Sequence, residues 1–111
     1  MAEEIWELAY YCTASGKLPF REWFASLSDL TAQEAITVRL TRLRYGNFGK
    51  CAPIGLGLSE LKINYGPGYR IYFGRTGNRV VLLLCGGDKS TQRRDVLTTH
   101  QYWQSYKEKE K

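Results

Sequence analysis

The sequence has few cysteines and histidines, and no long hydrophobic run. Its three cysteines, Cys12, Cys51 and Cys85, are far apart and odd in number. Without a Cys-x-x-Cys spacing they argue against a disulfide framework and against a zinc site. The single histidine, His100, has no second histidine with which to form a cluster. The longest apolar run, from Val80 to Cys85, falls well short of the roughly 20 residues that cross a bilayer.

The first residues lack the pattern of a secretory signal. Glu3 and Glu4 stand where basic residues are expected, and no apolar stretch follows them. The scattered cysteines are typical of reduced thiols in a reducing compartment. The sequence therefore predicts a soluble, cytoplasmic protein.

Composition and charge indicate a single globular domain with polyanionic partners. The chain has 111 residues, of which 43% are hydrophobic and 24% charged, so residues 1–111 are long enough to bury one core without disulfides or metal. Residues 107–111 alternate lysine and glutamate and are expected to be a frayed, solvated tail. A formal net charge of +5 favours nucleic acid, the ribosome or an acidic protein as partner.

Two consecutive helices are predicted in the first half. The first begins at Pro19 and carries an apolar stripe with i, i+3, i+4, i+7 spacing. The second is expected to begin at Thr31, with Thr31 and Glu34 as a capping box, and to end near Gly46. Its buried stripe consists of Ile36, Leu40 and Leu43. The two helices should form a helical hairpin.

The second half is predicted to contain three strands and a helix. A glycine-rich loop is expected over 46–57, then strands over about 58–64, 69–73 and 80–85, and a helix from about 90 to 107. With a first strand near 5–12, the order is β-α-α-β-β-β-α. The prediction is a two-layer α+β domain in which the hairpin covers one face of an antiparallel sheet. The strand over 80–85 is apolar on both faces and should lie centrally.

The alternation along the middle hairpin places polar side chains together. If Leu61 and Ile63 face the core, then Lys62, Arg70 and Tyr72 share the opposite face, because a one-residue slip would expose the whole apolar set. That face is expected to be the open side of the sheet. The ordinary alternative is a solvated sheet face without a specific role.

The segment Gly86-Gly87-Asp88-Lys89 is expected to be a loop that brings Lys89 to the same face. Gln92 and Arg93 then begin the last helix, whose free backbone amides favour a phosphate, and Asp88 is a candidate cap for that helix. Arginine and lysine can hold a phosphodiester and stabilise developing charge, and lysine or tyrosine can exchange protons with it. The sequence thus indicates a phosphate site without clustered histidine or carboxylates.

The segments 58–73 and 80–92 resemble one branch of a known superfamily. The patterns are Glu60-Leu61-Lys62, then Gly66-Pro67-Gly68-Tyr69-Arg70-Ile71-Tyr72, then Leu83-Leu84-Cys85-Gly86-Gly87-Asp88-Lys89-Ser90-Thr91-Gln92. They are similar to those of the phage-derived, HigB-like addiction module killer proteins of the RelE/ParE superfamily. The resemblance extends over nearly the whole chain, including Pro19-Phe20-Arg21-Glu22-Trp23-Phe24.

This resemblance implies the RelE-like fold, a short curved antiparallel sheet packed on a helical hairpin. It also implies a toxin neutralised by a helix-turn-helix antitoxin that binds DNA. Nuclease members cut mRNA on the ribosome without metal or cofactor, and Lys62, Arg70 and Lys89 match their basic positions. Many carry a tyrosine or histidines where this chain has Arg94-Asp95-Val96, so Tyr72 or Asp95 is the candidate substitute. Two alternatives stay open: a ParE-like, non-enzymatic inhibitor of DNA gyrase, and a non-toxic binding module.

Other polar and aromatic residues have less specific expectations. Three basic residues of the second helix are candidates for ribosome contacts or form a plain solvated face: Arg39, Arg42 and Arg44. Gln92 and Arg93 are candidates for RNA contacts. His100 is expected to be structural, and Trp6, Trp23 and Trp103 are expected to pack in the core.

Overall fold

The computed structural model describes residues 3–110. Along these residues three helices and five strands occur in the order β-α-α-β-β-β-β-α. The elements are β1 (Glu7–Tyr10), α1 (Pro19–Ser26), α2 (Leu30–Arg44), β2 (Cys51–Gly55), β3 (Leu58–Ile63), β4 (Tyr69–Thr76), β5 (Val80–Asp88), a 3-10 turn (Lys89–Thr91) and α3 (Gln92–Lys109).

The strands form one mixed sheet in the order β1-β5-β4-β3-β2. The α+β class is confirmed, as is the central position of β5 between β1 and β4. The expectation of a purely antiparallel sheet is wrong, because β1 pairs with β5 in parallel. Short turns make β3, β4 and β5 antiparallel neighbours, whereas the long excursion through both helices allows β1 to return in the same direction as β5.

The strand β2 was missed within the predicted loop over 46–57. Its glycine and proline content favoured a loop, but β2 is an edge strand, where the missing N–H of Pro53 removes little. It pairs with β3, with Cys51 opposite Leu61. Gly55 (φ 94°) and Gly57 (φ 84°) enclose the turn that joins the two strands.

Gly86 and Gly87 were expected in a loop after the last strand but lie within β5. The loop prediction at 86–87 is therefore wrong. A Cβ atom on Gly86 would overlap the Trp23 ring of α1, and one on Gly87 would overlap the Asp95 carboxylate of α3. Glycine is therefore required here for close approach of both helices to the strand. Because the side chains of consecutive strand residues alternate, the two helices press on opposite faces.

The helical hairpin packs on one face of the sheet. Ile36 and Leu43 are fully buried against Ile71, Phe73 and neighbouring apolar side chains. This confirms the predicted stripe on α2. The capping box at Thr31 and Glu34 is wrong: Asp29 is the N-cap of α2 and accepts from the amide of Thr31 at 2.9 Å.

The last helix packs against the other face. Trp103 of α3 joins a smaller apolar cluster with Leu58, Leu82 and Leu84. The face carrying Lys62 and Arg70 is therefore partly covered, where an open face was expected. The helix continues through Lys109, beyond its predicted end at residue 107. In the described residues, no helix is both long and apolar enough to cross a membrane.

Candidate functional site

Lys62 and Arg70 are direct cross-strand partners. The β3–β4 register pairs Lys62 with Arg70 and Glu60 with Tyr72, which confirms the predicted shared face. Side chains opposite one another in this way have Cβ atoms about 4.5–5.5 Å apart. Leu61 lies on the other face, in the core beneath the helical hairpin. The alternation of polar and apolar residues therefore brings the two cations together.

The turn between β3 and β4 is fixed from both sides. Within it, the amide of Gly68 donates to the carbonyl of Tyr65 at 3.1 Å, and Gly66 and Gly68 both have positive φ angles. The Tyr65 hydroxyl donates to Asp29 at the start of α2 at 2.9 Å. These contacts hold the strand ends that present Lys62 and Arg70.

Lys89 reaches the same end of the sheet. Asp88 accepts from the amide of Ser90 at 2.8 Å and caps the 3-10 turn that carries Lys89. This side-chain bonding to Ser90 also lowers the pKa of Asp88. A Cβ atom placed on Gly68 would lie 3.6 Å from Arg70 Nη1 and 3.8 Å from Lys89 Cβ. Arg70 Nη1 and Lys89 Cβ therefore lie beside Gly68, and the three predicted cations are all at the same end of the sheet.

The three cations differ in exposure. Lys62 and Lys89 are exposed to solvent, whereas Arg70 retains only 4% of its accessible surface. The Arg70 Nη1 donates to the carbonyl of Gly68 at 3.0 Å, and its Nε lies 3.5 Å from Glu60 Oε1. Two nitrogens of the guanidinium thus already face protein groups. The solvent-exposed positive charge at this site therefore belongs to Lys62 and Lys89.

Sequence reasoning missed Glu60 as part of this site. Glu60 is 8% exposed, and its Oε2 accepts from Gln92 Nε2 at 2.9 Å. The carboxylate therefore joins β3, β4 and the first turn of α3. A signal was present in the sequence, because Glu60 alternates in phase with Lys62 along β3. Because that face was expected to be open to solvent, there was no reason to expect a buried carboxylate at Glu60.

Tyr72 lies beneath α3. Its side chain is fully buried, and its hydroxyl has no hydrogen-bond partner among the described residues. Burial, with the negative charges of Glu60 and Asp95, raises the pKa of Tyr72 far above its ordinary value. The structure brings Tyr72 next to the cations but keeps its hydroxyl away from solvent.

Asp95 is also covered, at 6% exposure. Its carboxylate accepts a hydrogen bond from the Thr91 hydroxyl and contacts the backbone at Gly87. The Nε of Arg94, which is itself exposed, lies 3.9 Å from Asp95 Oδ1. Asp95 is thereby tied to the start of α3.

The basic residues of α2 are divided between two places. The Arg39 Nη1 donates to the backbone carbonyl of Lys62 at 2.9 Å, which holds Arg39 against β3 on the side of the sheet that α2 covers. Arg42 and Arg44 lie in the last turn of α2, where Arg44 is 4.0 Å from Glu4. Within residues 3–110, no side-chain hydrogen bond or ion pair joins Arg42 or Arg44 to the site. At the start of α3, Gln92 binds Glu60 while Arg93 is exposed.

His100 and Trp103 have structural roles. The Nε2 of His100 lies 2.7 Å from the carbonyl of Ile54, and the indole of Trp103 donates to the carbonyl of Leu56 at 3.0 Å. Together they hold the β2–β3 turn against α3. Trp23 packs on Gly86. Within the described part of the chain, no three potential ligands among His, Cys, Asp and Glu are grouped to hold a metal.

Comparison with known proteins finds one similar sequence of unknown function. An uncharacterized protein of Haemophilus influenzae is 44% identical to the chain over 79 residues, or 71% of this chain and 80% of the relative. No protein-family profile matches the chain. No solved structure matches it either.

Proposed function

The chain belongs to the same protein family as the Haemophilus influenzae protein, and we propose that it is the toxin component of a type II toxin–antitoxin system. Its proposed activity is that of a metal-independent, ribosome-dependent mRNA endoribonuclease in the cytoplasm. The observation that carries the proposal is the convergence of Lys62, Arg70 and Lys89 at one end of the sheet. The family resemblance of the strand motifs supplies the expected reaction.

In this reaction the RNA 2′-hydroxyl attacks the adjacent phosphorus. The 2′-oxygen bond to phosphorus forms, the bond to the 5′-oxygen breaks, and a cyclic phosphate and a 5′-hydroxyl result. The exposed amines of Lys62 and Lys89 contact the phosphate oxygens and stabilise their developing charge. Arg70 adds positive charge from the floor of the site.

Proton donation is assigned to one of the two exposed, protonated amines. Tyr72 and Asp95 lie beneath α3, so we give them no direct contact with RNA. One protonated amine supplies a proton to the leaving 5′-oxygen, the other keeps its charge against the phosphate oxygens, and water takes up the proton of the 2′-hydroxyl. Arg39, which is held against the backbone of Lys62, and Arg93, which is exposed in the first turn of α3, add positive charge for the RNA backbone.

The proposed partner is an antitoxin encoded beside the toxin gene, a helix-turn-helix protein that binds DNA. A positive net charge of +5 suits both an acidic antitoxin segment and ribosomal RNA. Co-expression of the neighbouring reading frame is expected to restore growth, and the protein that it encodes is expected to co-purify with the chain.

The experiment compares two double variants in an inducible strain. Lys62→Ala with Lys89→Ala removes the exposed cations of the site. Lys17→Ala with Lys109→Ala removes the same charge from two other exposed positions. We expect the wild type to arrest growth and to create new 5′-hydroxyl ends within translated mRNA. The site variant should lose about 10²–10³-fold in cleavage, and the control should match the wild type.

A second function, ParE-like inhibition of DNA gyrase, is favoured by one observation. Arg70, Tyr72 and Asp95 are all buried, which suits a surface that binds without doing chemistry. DNA damage without new mRNA ends would favour this alternative over the nuclease. Normal growth without the antitoxin would instead indicate a non-toxic binding module and contradict both toxin functions.

A further inference from the structure

We propose that Glu60 is a positioning residue for the cleavage reaction, acting through Arg70; this inference rests on the function proposed above. Glu60 does not contact RNA in this proposal. Its carboxylate sets where the Arg70 guanidinium stands, and Gln92 ties that carboxylate to α3. The first turn of α3 thereby becomes part of the site.

The two oxygens of Glu60 contact different elements. Oε1 lies 3.5 Å from Arg70 Nε on β4, and Oε2 accepts from Gln92 Nε2 on α3 at 2.9 Å. The side chains of Arg70 and Glu60 are only 5% and 10% exposed. Water therefore screens their attraction little, and each depends on the other for compensation of its charge.

The pair is held by charge and not by a formed hydrogen bond. Arg70 Nε is buried without a hydrogen-bond partner in the described residues, and so is the Tyr72 hydroxyl opposite Glu60. Buried polar atoms in folded proteins are nearly always paired, and exceptions often mark functional sites. Arg70 Nη1 is fixed by the carbonyl of Gly68, whereas Nε has no hydrogen bond to fix it and depends on the charge of Glu60 for its position.

Glu60 is the carboxylate that forms an ion pair with Arg70. Asp88, at the end of β5 beside Arg70, also interacts with its charge, but its carboxylate is partly exposed and already accepts from Ser90. The other buried carboxylate beneath α3, Asp95, is already bound by the Thr91 hydroxyl and packed on Gly87. If Glu60 loses its charge, Arg70 loses its ion-pair partner within the buried part of the site and is drawn toward Asp88 and the solvent. It would then meet the RNA phosphate at the surface, in a different position from the one that Glu60 sets.

This displacement predicts a split between binding and turnover. Removing the negative charge of Glu60 raises the net positive charge of the chain and brings Arg70 nearer the surface, so RNA binds as well or more tightly. Cleavage slows, because the guanidinium no longer lies where charge develops in the transition state. A loss of folding alone would lower binding and cleavage together and would not give this split.

The test uses Glu60→Gln, which keeps the shape of the side chain and an oxygen for Gln92 but removes the charge. Glu34→Gln, an exposed position on α2, is the matched control for charge. RNA affinity and single-turnover cleavage are measured on ribosomes programmed with one mRNA. We expect Glu60→Gln to lower the cleavage rate by about 100-fold with affinity equal or higher. Glu34→Gln should match the wild type.

Glu60→Asp keeps the charge but retracts it by one methylene, and its rate should lie between those of the wild type and Glu60→Gln. If Glu60→Gln does not fold, Glu60→Asp is the variant on which the inference is tested. A rate equal to that of the wild type in every Glu60 variant that folds would overturn the inference, as would affinity falling in step with the rate. A wild type that cleaves no mRNA would overturn the proposed function itself, which separates the two failures.

Discussion

The two faces of the sheet differ in what they bury. The face beneath α1 and α2 buries an apolar cluster that includes Ile36, Leu61 and Phe73. The face beneath α3 has a smaller apolar cluster around Trp103 and, beside it, the buried polar residues Glu60, Arg70, Asp95 and Thr99. The first face resembles an ordinary protein core, whereas the second mixes a core with charges.

The difference separates what stabilises the fold from what the proposed site requires. Apolar burial contributes about 25 cal/mol for each Å² removed from water, so the larger apolar face is the main source of stability. A buried ion pair such as Arg70 and Glu60 contributes little net stability. Its presence on the face beneath α3 is better explained by a role at the neighbouring Lys62 and Lys89.

The largest effect is expected on the apolar face. Phe73 is fully buried and stacks with Phe48 at a centroid distance of 6.0 Å. Phe73→Ala should lower the free energy of unfolding by about 3–5 kcal/mol, because it leaves a cavity that the sheet cannot close. Urea denaturation measures the change. Val38→Ala, on the exposed side of α2, is the control, and a similar loss in both variants would contradict the assignment of this face.

Sequence periodicity predicted most of the apolar face. The stripes of α1 and α2 and the alternation in β3 and β4 follow from the burial of one side of each element, and Ile36, Leu43 and Ile71 are completely buried as expected. The edge strand β2 was missed because glycine and proline are read as loop signals. Pairing with β3 supplies its structure, and such long-range pairing is not visible in local sequence.

The candidate site was predictable only in part. The register that joins Lys62 and Arg70 follows from alternation alone. The covering of that face by α3 does not, because it depends on close approach at glycine positions such as Gly74 and Gly87. Gly74 lies beyond the strand predicted over 69–73 and Gly87 lies in a predicted loop, so the burial of Glu60 was not anticipated.

An intermediate effect compares the two faces at adjacent positions. In β5, Gly86 faces Trp23 of α1 and Gly87 faces Asp95 of α3. Gly86→Ala and Gly87→Ala should each lower the free energy of unfolding by about 1–3 kcal/mol, because each added methyl group overlaps a neighbour. The measurement is again urea denaturation.

The two glycine variants should differ in activity. Gly87→Ala displaces Asp95 and the first turn of α3, which carries Gln92, so mRNA cleavage should fall. Gly86→Ala acts on α1 and should leave cleavage unchanged at a temperature where both variants are folded. Equal loss of cleavage in the two variants would show that the face beneath α3 is not special for activity.

The smallest effect is expected at Tyr72, where the hydroxyl is buried without a partner. Tyr72→Phe should leave the free energy of unfolding unchanged or raise it by about 1 kcal/mol, because it removes an unsatisfied polar group. Cleavage at neutral pH should also stay unchanged, since the hydroxyl has no contact with RNA in the proposed reaction. A large loss of cleavage would indicate that Tyr72 takes part in the reaction.

The same variant sharpens the comparison at alkaline pH. The raised pKa of Tyr72 keeps it protonated in the folded chain, whereas in the unfolded chain it loses its proton above about pH 10. Ionisation then favours the unfolded state, so the wild type should lose about 1.4 kcal/mol per pH unit more than Tyr72→Phe above that pH. Urea denaturation of both proteins between pH 8 and about pH 11 measures this. Parallel curves would mean that solvent reaches the hydroxyl and that α3 does not seal this face.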